Sequence, residues 1–481
     1  AIPRRLGINA ELYQNVSVSE YEEKYFAEDR LYLQLLAGVS KNYRLQHPEA
    51  IPIERIGACL AGPLFYGYVE NVLQLGLREG VNRIYFLARD GQILLKIAQV
   101  IKKEKGLKLD LRYLHVSRQV CYLASVYEIT DRELYWFRDF MHTFADLARR
   151  LGADPDELFR LLPASLRSEI GAVDQRLAKR LVDKLCDVLK GDNALSERIR
   201  RTCADFRSLF LDYLRQEGLL DGERFYMVDV GWSGRAQDAM YKIVAEHDPS
   251  IAVEYHYFGM LESGWSRYSP YTSVHNRKDA YLDIPMKVRT HVTFIEMLAA
   301  ADHGTTVGYA RDANGVVLPL LDSSAGTDDW GLADYQKAVC WFSMRCITLL
   351  ARFPKLFNYH RDIVSLILKH ATSPSHEVAD CLGDLPYTLG HDNISLQHLG
   401  PPLSLIDVLA WASNRERSLA NWLDGALQRS PWYVRCVFHC LASLRRRVQS
   451  ARSRLGAQMR SIRCRSRSVC HTLRNFLEWW V

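Results

Sequence analysis

The fold is indicated most clearly by residues 225–240, which read Phe225-Tyr-Met-Val-Asp-Val-Gly-Trp-Ser-Gly-Arg-Ala-Gln-Asp-Ala-Met240. The first four residues are an apolar run that predicts a buried strand, and Asp229 follows at its end. Gly231 and Gly234 permit a tight turn and a close backbone approach, after which helical periodicity begins. Strand, acid, glycine turn and helix in this order are typical of a site where backbone N–H groups surround an anion.

A second unit of the same kind lies upstream. Its strand is predicted over Arg83 to Ala88, its turn is Arg89-Asp90-Gly91, and its helix runs over Ile93 to Ile101. Two further apolar runs, Leu111 to Val116 and Ile251 to Phe258, predict two more strands. Strands that alternate with helical crossovers favour an α/β fold, here a Rossmann-like, mainly parallel sheet flanked by helices.

The turns that follow these strands carry the candidate ligand-binding residues. Because the carboxyl ends of parallel strands meet at one edge, these turns are expected to share one rim. Arginine is suited to bidentate binding of phosphate. A tryptophan in a glycine turn is expected to be exposed unless it packs on a ligand or on the helical insertion, if that insertion caps the site. The residues predicted to bind phosphate or another part of a ligand are Arg89, Gly91, Arg118, Gly231, Trp232, Gly234 and Arg235.

Three acids are the catalytic candidates: Asp90, Asp229 and Glu296, the last in an apolar helix predicted over residues 293–300. A carboxylate at such a rim can accept sugar hydroxyls or hold a metal ion beside a phosphate. Each acid also has a structural alternative. Asp229 would cap the following helix, Asp90 would pair with Arg89 to close the turn, and Glu296 would be a buried, paired carboxylate.

Composition places the chain among ordinary globular proteins. Of its 481 residues, 48% are hydrophobic and 25% are charged, and the length predicts two or three domains. The net charge of +6 is uneven, because residues 441–481 hold ten arginines and one acid while the rest of the chain is mildly acidic. A body with this charge does not favour nucleic acid as a partner.

The eleven cysteines predict a reducing compartment, because their number is odd and no pair has CxxC spacing. The start of the chain lacks the apolar segment of a signal peptide. No apolar run reaches the roughly 18 residues that a membrane-spanning helix needs. We therefore expect a cytoplasmic protein without a structural metal site.

Several catalytic motifs do not occur in the sequence. It contains no GxSxG elbow, no HExxH pair, no Walker A lysine loop and no GxGxxG fingerprint. No predicted strand ends in Asp-x-Asp, the pair that supplies nucleophile and acid/base in haloacid dehalogenase (HAD)-type phosphatases. The chemistry of those families is not expected here.

Three separated motifs carry a resemblance to a known group: Arg89-Asp90-Gly91, Asp229-x-Gly231-Trp232-x-Gly234-x-x-Gln237 and Phe294-x-Glu296. In this order they resemble a region of bacterial proteins of surface-polysaccharide gene clusters, which are described as predicted HAD-superfamily hydrolases. The resemblance covers roughly residues 50–310 and adds Gln237 to the ligand-binding candidates. Residues 1–10 resemble the tail of the preceding hydrolase domain, so its nucleophile would lie before residue 1 and phosphatase activity is not expected of this chain.

The order of elements is also similar to that of phosphoribosyltransferases. In that family a glycine turn binds pyrophosphate and a later acidic turn binds the ribose phosphate. Arg89-Asp90-Gly91 and residues 229–234 would take those places. Val230 stands where the family usually has a second acid, and no Thr-Gly-Thr run follows, so the likeness is one of layout.

Six segments follow from these observations. The resemblance implies that residues 1–50 are a remnant or linker after a hydrolase-like domain, and the strand predictions make residues 51–130 and 223–325 the two halves of the α/β domain. The others are a helical insertion (131–222), a helical C-terminal region (326–440) and a basic amphipathic tail (441–481).

Finer predictions concern individual elements. One helix is expected over Val18 to Tyr43 and another over Ile53 to Glu79, broken at Gly62-Pro63. The small residues of the second helix would let another element approach closely. A hairpin is expected over residues 303–321, and the C-terminal helices are interrupted near Ser373 and Gly400.

The expected function is binding of a phosphorylated sugar or nucleotide sugar, with transferase chemistry, in bacterial polysaccharide biosynthesis. The alternatives are a non-catalytic ligand-binding or scaffold module and a phosphoribosyltransferase-like enzyme. Mg²⁺ is the cofactor considered. Because arginines alternate with apolar residues in 441–481, this tail suits an anionic membrane surface and predicts a peripheral location at the inner face of the cell membrane.

Overall fold

The computed structural model describes residues 17–28, 30–131, 133–134, 143–232, 234–251, 253–259, 291–322, 330–353, 360–388, 396–413 and 419–447. The chain divides into two compact units. Unit 1 comprises residues 1–373 and 385–398, and unit 2 comprises residues 374–384 and 399–481. Two of the changes from one unit to the other therefore fall at the sequence breaks expected near Ser373 and Gly400.

Unit 1 contains a sheet of four parallel strands, which confirms the Rossmann-like α/β class. The strands are β1 (Arg83–Leu87), β2 (Asp110–Leu114), β3 (Phe225–Asp229) and β4 (Val253–Tyr257), in the spatial order β2-β1-β3-β4. The predicted hairpin is also present, as β5 (Thr306–Arg311) paired antiparallel with β6 (Val317–Leu321). A third, small sheet consists of β7 (Pro386–Thr388) and β8 (Leu396–His398).

The remaining described elements are mostly helices. Those of unit 1 are α1 (Glu20–Phe26), α2 (Leu31–Gln46), α3 (Pro52–Ile56), α4 (Gly62–Glu79), α5 (Gly91–Lys105), α6 (Arg118–Ala124), α7 (Phe144–Arg150), α8 (Pro155–Leu161), α9 (Ala164–Ile170), α10 (Lys179–Gly191), α11 (Asn193–Gln216), α12 (Arg235–His247), α13 (Val292–Leu298), α14 (Leu332–Arg352) and α15 (His360–Thr372). Those of unit 2 are α16 (His376–Gly383), α17 (Leu405–Ser413), α18 (Leu423–Arg429) and α19, residues 432–447.

The single helix expected over Val18 to Tyr43 is wrong, because α1 and α2 are separate helices. A capping box of Ser19 and Glu22 starts α1, and the extended backbone of Arg30 separates the two helices. No glycine or proline marks this interruption in the sequence, so periodicity alone could not locate it.

Alternate strand residues serve the two faces of the sheet. Tyr85, Met227 and Tyr255 pack in a core with α6, α11 and α12. On the opposite face, α4 approaches the sheet at Gly76, where an added Cβ would lie 3.4 Å from Ile84. The turn after β1 leads into α5, which packs with α4, whereas the turn after β3 leads into α12, which packs with α6.

The expected break at Gly62-Pro63 is instead a π-helical turn, Gly57–Ala61, that joins α3 to α4. Pro63 has no N–H, so the carbonyl of Cys59 cannot receive the usual helical hydrogen bond. The Tyr25 hydroxyl donates to that carbonyl at 2.7 Å and replaces the missing donor. The predicted close approach is confirmed, because a Cβ on Gly57 would lie 2.6 Å from the Tyr335 carbonyl oxygen of α14.

Helices α7 to α11 lie between the two halves of the sheet in sequence, where a helical insertion was expected. They have a hydrophobic core of their own, which includes Phe144, Leu158, Leu185 and Ile199. The long helix α11 also contributes Phe210 and Leu214 to the sheet's core, so it connects the insertion to the α/β domain.

Unit 2 is built from short helices around Val408, Ala426, Val434 and Phe438. Of the basic tail predicted at 441–481, only residues 441–447 are described, as the end of α19; residues 448–481 lie outside the described residues. In the described part of the chain, no helix combines the length and apolar character needed to span a bilayer.

Candidate active site

The candidate site lies at the carboxyl ends of β1 and β3. These strands are neighbours in the sheet, and the helices that follow them, α5 and α12, cover opposite faces. Such a point, where the chain leaves adjacent parallel strands in opposite directions, opens a crevice at which α/β proteins commonly bind ligands. Asp90 follows β1 and Asp229 ends β3, so both acids lie at this crevice.

Five of the predicted site residues are brought together here. The negative charges of Glu296 and Asp229 and the positive charges of Arg89 and Arg118 all act on the Asp90 carboxyl. These residues lie at or shortly after the ends of β1, β2 and β3 and on α13, spread over about 200 positions of the chain. The expectation that the turns after the strands share one rim is therefore met for these residues.

Asp90 has no structural role that the described residues explain. It occupies the N-cap position of α5, yet its side chain makes no capping hydrogen bond. Its carboxylate forms no ion pair within 4 Å with Arg89 or with another residue that the structure describes. Burial, followed by the charges of Glu296 and Asp229, raises the pKa of Asp90 well above its ordinary value, although Arg89 and Arg118 oppose the shift.

Asp229 is held in place by its own turn. The Val230 N–H donates to Asp229 Oδ1 at 2.8 Å, and the Gln237 side-chain amide donates to Oδ2. Burial raises the pKa of Asp229 to about 7, and these hydrogen bonds act in the opposite direction. Helix α12 has Gly234 at its N-cap, so Asp229 is not the cap that the structural alternative required.

Asp90 and Asp229 are both largely enclosed by the protein. Protein surrounds both carboxyls on nearly all sides, yet both residues keep some surface accessible to solvent. Arg89 is partly buried, whereas Arg118, the first residue of α6, is exposed. Neither guanidinium forms an ion pair within 4 Å with any described residue, so both can bind an anion.

Trp232 and Glu296 contact each other directly. The Trp232 indole is buried and donates its Nε1–H to Glu296 Oε1 at 3.1 Å. Glu296 lies on α13, which places this helix over the turn after β3. Trp232 is thus buried against the protein itself and bonded to α13, and Glu296 is a paired carboxylate whose charge also acts on Asp90.

The glycines of the two turns are explained by the protein's own backbone. A Cβ on Gly231 would lie 2.0 Å from the Gly259 carbonyl oxygen, and one on Gly91 would lie 2.8 Å from the Phe86 carbonyl carbon. Gly234 has a left-handed backbone with φ 61°. Both turns contain a cis peptide bond, Ala88–Arg89 and Gly231–Trp232. The side chain of the last predicted ligand residue, Arg235, lies outside the described residues.

Three aromatic side chains beside Arg89 were not predicted. The Tyr113 hydroxyl lies 2.8 Å from His303 Nε2 and 3.2 Å from the Arg89 carbonyl oxygen. His303 Nδ1 lies 2.8 Å from the Gly304 carbonyl oxygen, so this nitrogen carries a hydrogen and donates it to that carbonyl. Burial, and then the nearby His303, lower the pKa of His115 to about 4.

Part of this cluster had a signal in the sequence. Tyr113 belongs to β2 and His115 follows it, so their place at the rim follows from the strand prediction. His303 precedes the β5–β6 hairpin, and only the packing of that hairpin against the sheet brings it to Tyr113.

The arrangement suits an anionic ligand that also carries hydroxyl groups. Two arginines offer hydrogen bonds to phosphate oxygens, and three carboxyls offer hydrogen bonds to hydroxyls or a means of moving a proton. Among the residues that the structure describes, no three His, Cys, Asp or Glu side chains are arranged to hold a metal ion.

Comparison with known proteins identifies no family for the chain. No protein-family model matches it, and no curated protein matches it.

Proposed function

We propose that unit 1 binds a phosphorylated sugar or a nucleotide sugar at this rim and transfers a group from it to an acceptor. The observation that carries the proposal is the meeting of Asp90, Asp229 and Glu296 with Arg89 and Arg118 at the crevice between β1 and β3. The resemblance of the site motifs to proteins of surface-polysaccharide gene clusters supports a place in that biosynthesis.

The arginines bind the phosphate part of the ligand. A guanidinium presents paired N–H donors that match two phosphate oxygens; Arg89 follows β1 at the crevice, and Arg118 begins α6 after the neighbouring strand β2. A phosphate between them would offset their positive charge. The charges of the two arginines oppose the upward shift in the pKa of Asp90. When a bound phosphate offsets those charges, the pKa of Asp90 would rise further and Asp90 would hold its proton more strongly.

The two aspartates then divide the proton transfers of a transferase reaction. Asp229, whose pKa is about 7, is partly ionised at neutral pH and accepts the proton of the attacking hydroxyl. Asp90, whose pKa is raised further by its acidic neighbours, donates a proton to the departing oxygen. Asp229 gains the proton of the acceptor hydroxyl, and Asp90 gives its proton to the leaving group. The total charge of the two aspartates is therefore the same before and after the reaction.

Ligand binding is tested first by thermal unfolding with a panel of nucleotide sugars, sugar phosphates and phosphoribosyl pyrophosphate, each with and without Mg²⁺. A true ligand at 100 times its Kd adds about 2.7 kcal/mol to the free energy of unfolding, which gives a clear rise in Tm. The panel separates a sugar-phosphate site from a phosphoribosyl site, and the Mg²⁺ arm tests the cofactor.

Variants decide where the ligand binds and whether the protein is a catalyst. We expect R89Q and R118Q to lose the Tm shift, while R200Q, a change at an exposed arginine of α11, keeps it. D90N should retain binding and lose turnover. If the protein binds the donors but turns none of them over, the non-catalytic module is favoured. If the Tm shift survives in R89Q/R118Q, the ligand binds elsewhere.

A further inference from the structure

Unit 2 exposes large apolar side chains to an unusual degree. Ile406 and Trp432 are the most exposed large apolar residues in the described part of the chain, at 78% and 70%. Leu409 and Leu444 are also more than half exposed. Soluble proteins rarely leave several such side chains uncovered in one region unless that region binds something.

Ile406 and Trp432 lie on the outer sides of α17 and α19, two helices that pack together, whereas Leu444 lies near the end of α19 on the same side as Val437 and Leu441. On α17, Val408 is buried, while Ile406 and Leu409 are on the opposite side. On α19, Val434 and Phe438 face inward, and Trp411 of α17 packs on Phe438 with ring centroids 5.1 Å apart. The core of unit 2 therefore uses Val408 of α17 and Val434 and Phe438 of α19. The exposed apolar residues of these helices are not part of that core.

The charge of α19 identifies the kind of partner. Residues 432–447 contain four arginines, at 435, 445, 446 and 447, and no acid. Arg446 and Arg447 are exposed, whereas Arg445 lies over the Trp411 ring at 4.2 Å. A helix with a basic end and exposed tryptophan, tyrosine and leucine has the composition of helices that lie in the interface of an anionic bilayer.

We propose that α17 and α19 of unit 2 form a docking surface for an anionic lipid bilayer. Ile406, Leu409 and Trp432 enter the interface, and Arg446 and Arg447 contact the lipid phosphates. This inference deepens the proposed function by giving its site a location at a membrane. It rests on residues of unit 2, so it can fail while ligand binding in unit 1 stands.

The test is co-sedimentation of the full chain with vesicles of phosphatidylcholine alone and of phosphatidylcholine and phosphatidylglycerol in equal parts, at low and high salt. We expect binding to the anionic vesicles that weakens at high salt. I406S/L409S and R446Q/R447Q should each bind less. Each basic residue near an anionic surface contributes roughly fivefold to partitioning, so the arginine pair should account for roughly 25-fold.

Matched variants in unit 1 control for the changes themselves. L31S removes a leucine that is 58% exposed, and R200Q/R201Q removes two neighbouring arginines from the exposed surface of α11. Both should sediment with anionic vesicles as the wild type does. Thermal unfolding of every variant checks that the fold is intact, and ligand-induced Tm shifts report on unit 1 separately.

Three outcomes would overturn the docking surface. The wild type could remain in the supernatant with anionic vesicles at low salt. I406S/L409S could bind vesicles as the wild type does, which would assign binding to charge elsewhere. Sedimentation equilibrium could show a dimer that I406S/L409S dissociates, which would make the apolar face a contact between two copies of the chain.

Discussion

The Asp90 side chain makes no hydrogen bond or ion pair with a described residue that would stabilise the fold, and its surroundings are those expected of a functional carboxyl. It sits among two other acids at the crevice, makes no capping hydrogen bond, and has its pKa raised by burial and by those acids. A carboxyl in this state resists ionisation, so the folded protein binds a proton there more tightly than the unfolded chain does. Such destabilising placements are found mostly at functional sites.

The first prediction concerns the pH dependence that this placement causes. Because the folded-state pKa of Asp90 is raised, its contribution to stability is complete below the ordinary aspartate pKa of about 4 and is lost as the pH rises from there. D90N removes that loss. We expect D90N to exceed the wild type in stability by about 1 kcal/mol at neutral pH, with the advantage shrinking toward pH 4. Urea unfolding at several pH values measures it.

Asp221 supplies a control with the opposite sign. Burial is the largest single effect on Asp221 and raises its pKa, but the hydrogen bonds from Arg83 and the Glu223 N–H and the charges of Arg83 and Arg112 together lower it below the ordinary value. Its contribution to stability is therefore present above the ordinary aspartate pKa and is lost as the pH falls. D221N should therefore be less stable than the wild type at neutral pH and approach it in acid. If D90N showed the same trend as D221N, the assignment of a raised pKa to Asp90 would be wrong.

Among the elements, the π-helical turn and α4 are arranged for contact with α14. Two carbonyls of the turn accept hydrogen bonds from side chains: the Tyr25 hydroxyl donates to the Cys59 carbonyl, and the Ser40 hydroxyl donates to the Ala58 carbonyl at 3.1 Å. Gly62 then brings the backbone of α4 against Phe342, where an added Cβ would lie 2.7 Å from the ring. The small residues therefore serve helix packing in unit 1.

The second prediction compares two glycines in helices. G62A forces a methyl group against the buried Phe342 ring, and we expect a loss of about 1–3 kcal/mol in the free energy of unfolding. G38A in α2 is the control, because no atom lies within 4 Å of its added Cβ. Alanine there should raise stability by up to about 1 kcal/mol. Equal effects of the two changes on urea unfolding would contradict the packing account.

At the scale of the whole molecule, the two ends of the parallel strands differ in how their charged residues are paired. At the carboxyl ends, Asp90, Arg89 and Arg118 form no ion pair within 4 Å with a residue that the structure describes. At the amino ends, Arg83 pairs with Asp110 at 3.0 Å and with Asp221 at 2.5 Å, and Arg112 also pairs with Asp110. Charges at that second edge are paired within the protein, so they serve the fold.

The third prediction follows from this division and uses hydrogen exchange. A ligand identified by thermal shift should slow exchange in the turn at 89–94 and in the turn at 230–237 together, although about 140 residues separate them in sequence. Residues 217–223, at the opposite edge of the sheet, are the internal control and should be unaffected. Protection confined to one of the two turns would contradict a shared site.

Local signals in the sequence determined the α/β class, the four parallel strands, the hairpin and the two turns that carry Asp90 and Asp229. Apolar runs and helical periodicity report on burial over a few neighbouring residues, and parallel pairing then brings the ends of those strands to one edge. For this reason Arg89, Asp90, Arg118 and Asp229 could be assigned to one rim from sequence.

Only the tertiary structure decided which side chains meet across distant segments. The Trp232–Glu296 hydrogen bond and the His303–Tyr113 contact join residues 64 and 190 positions apart. The need for glycine at 231 arises from Gly259, a residue of another loop. Contacts of this kind depend on how helices and hairpins pack on the sheet, and that packing is a property of shape and volume that no local pattern records.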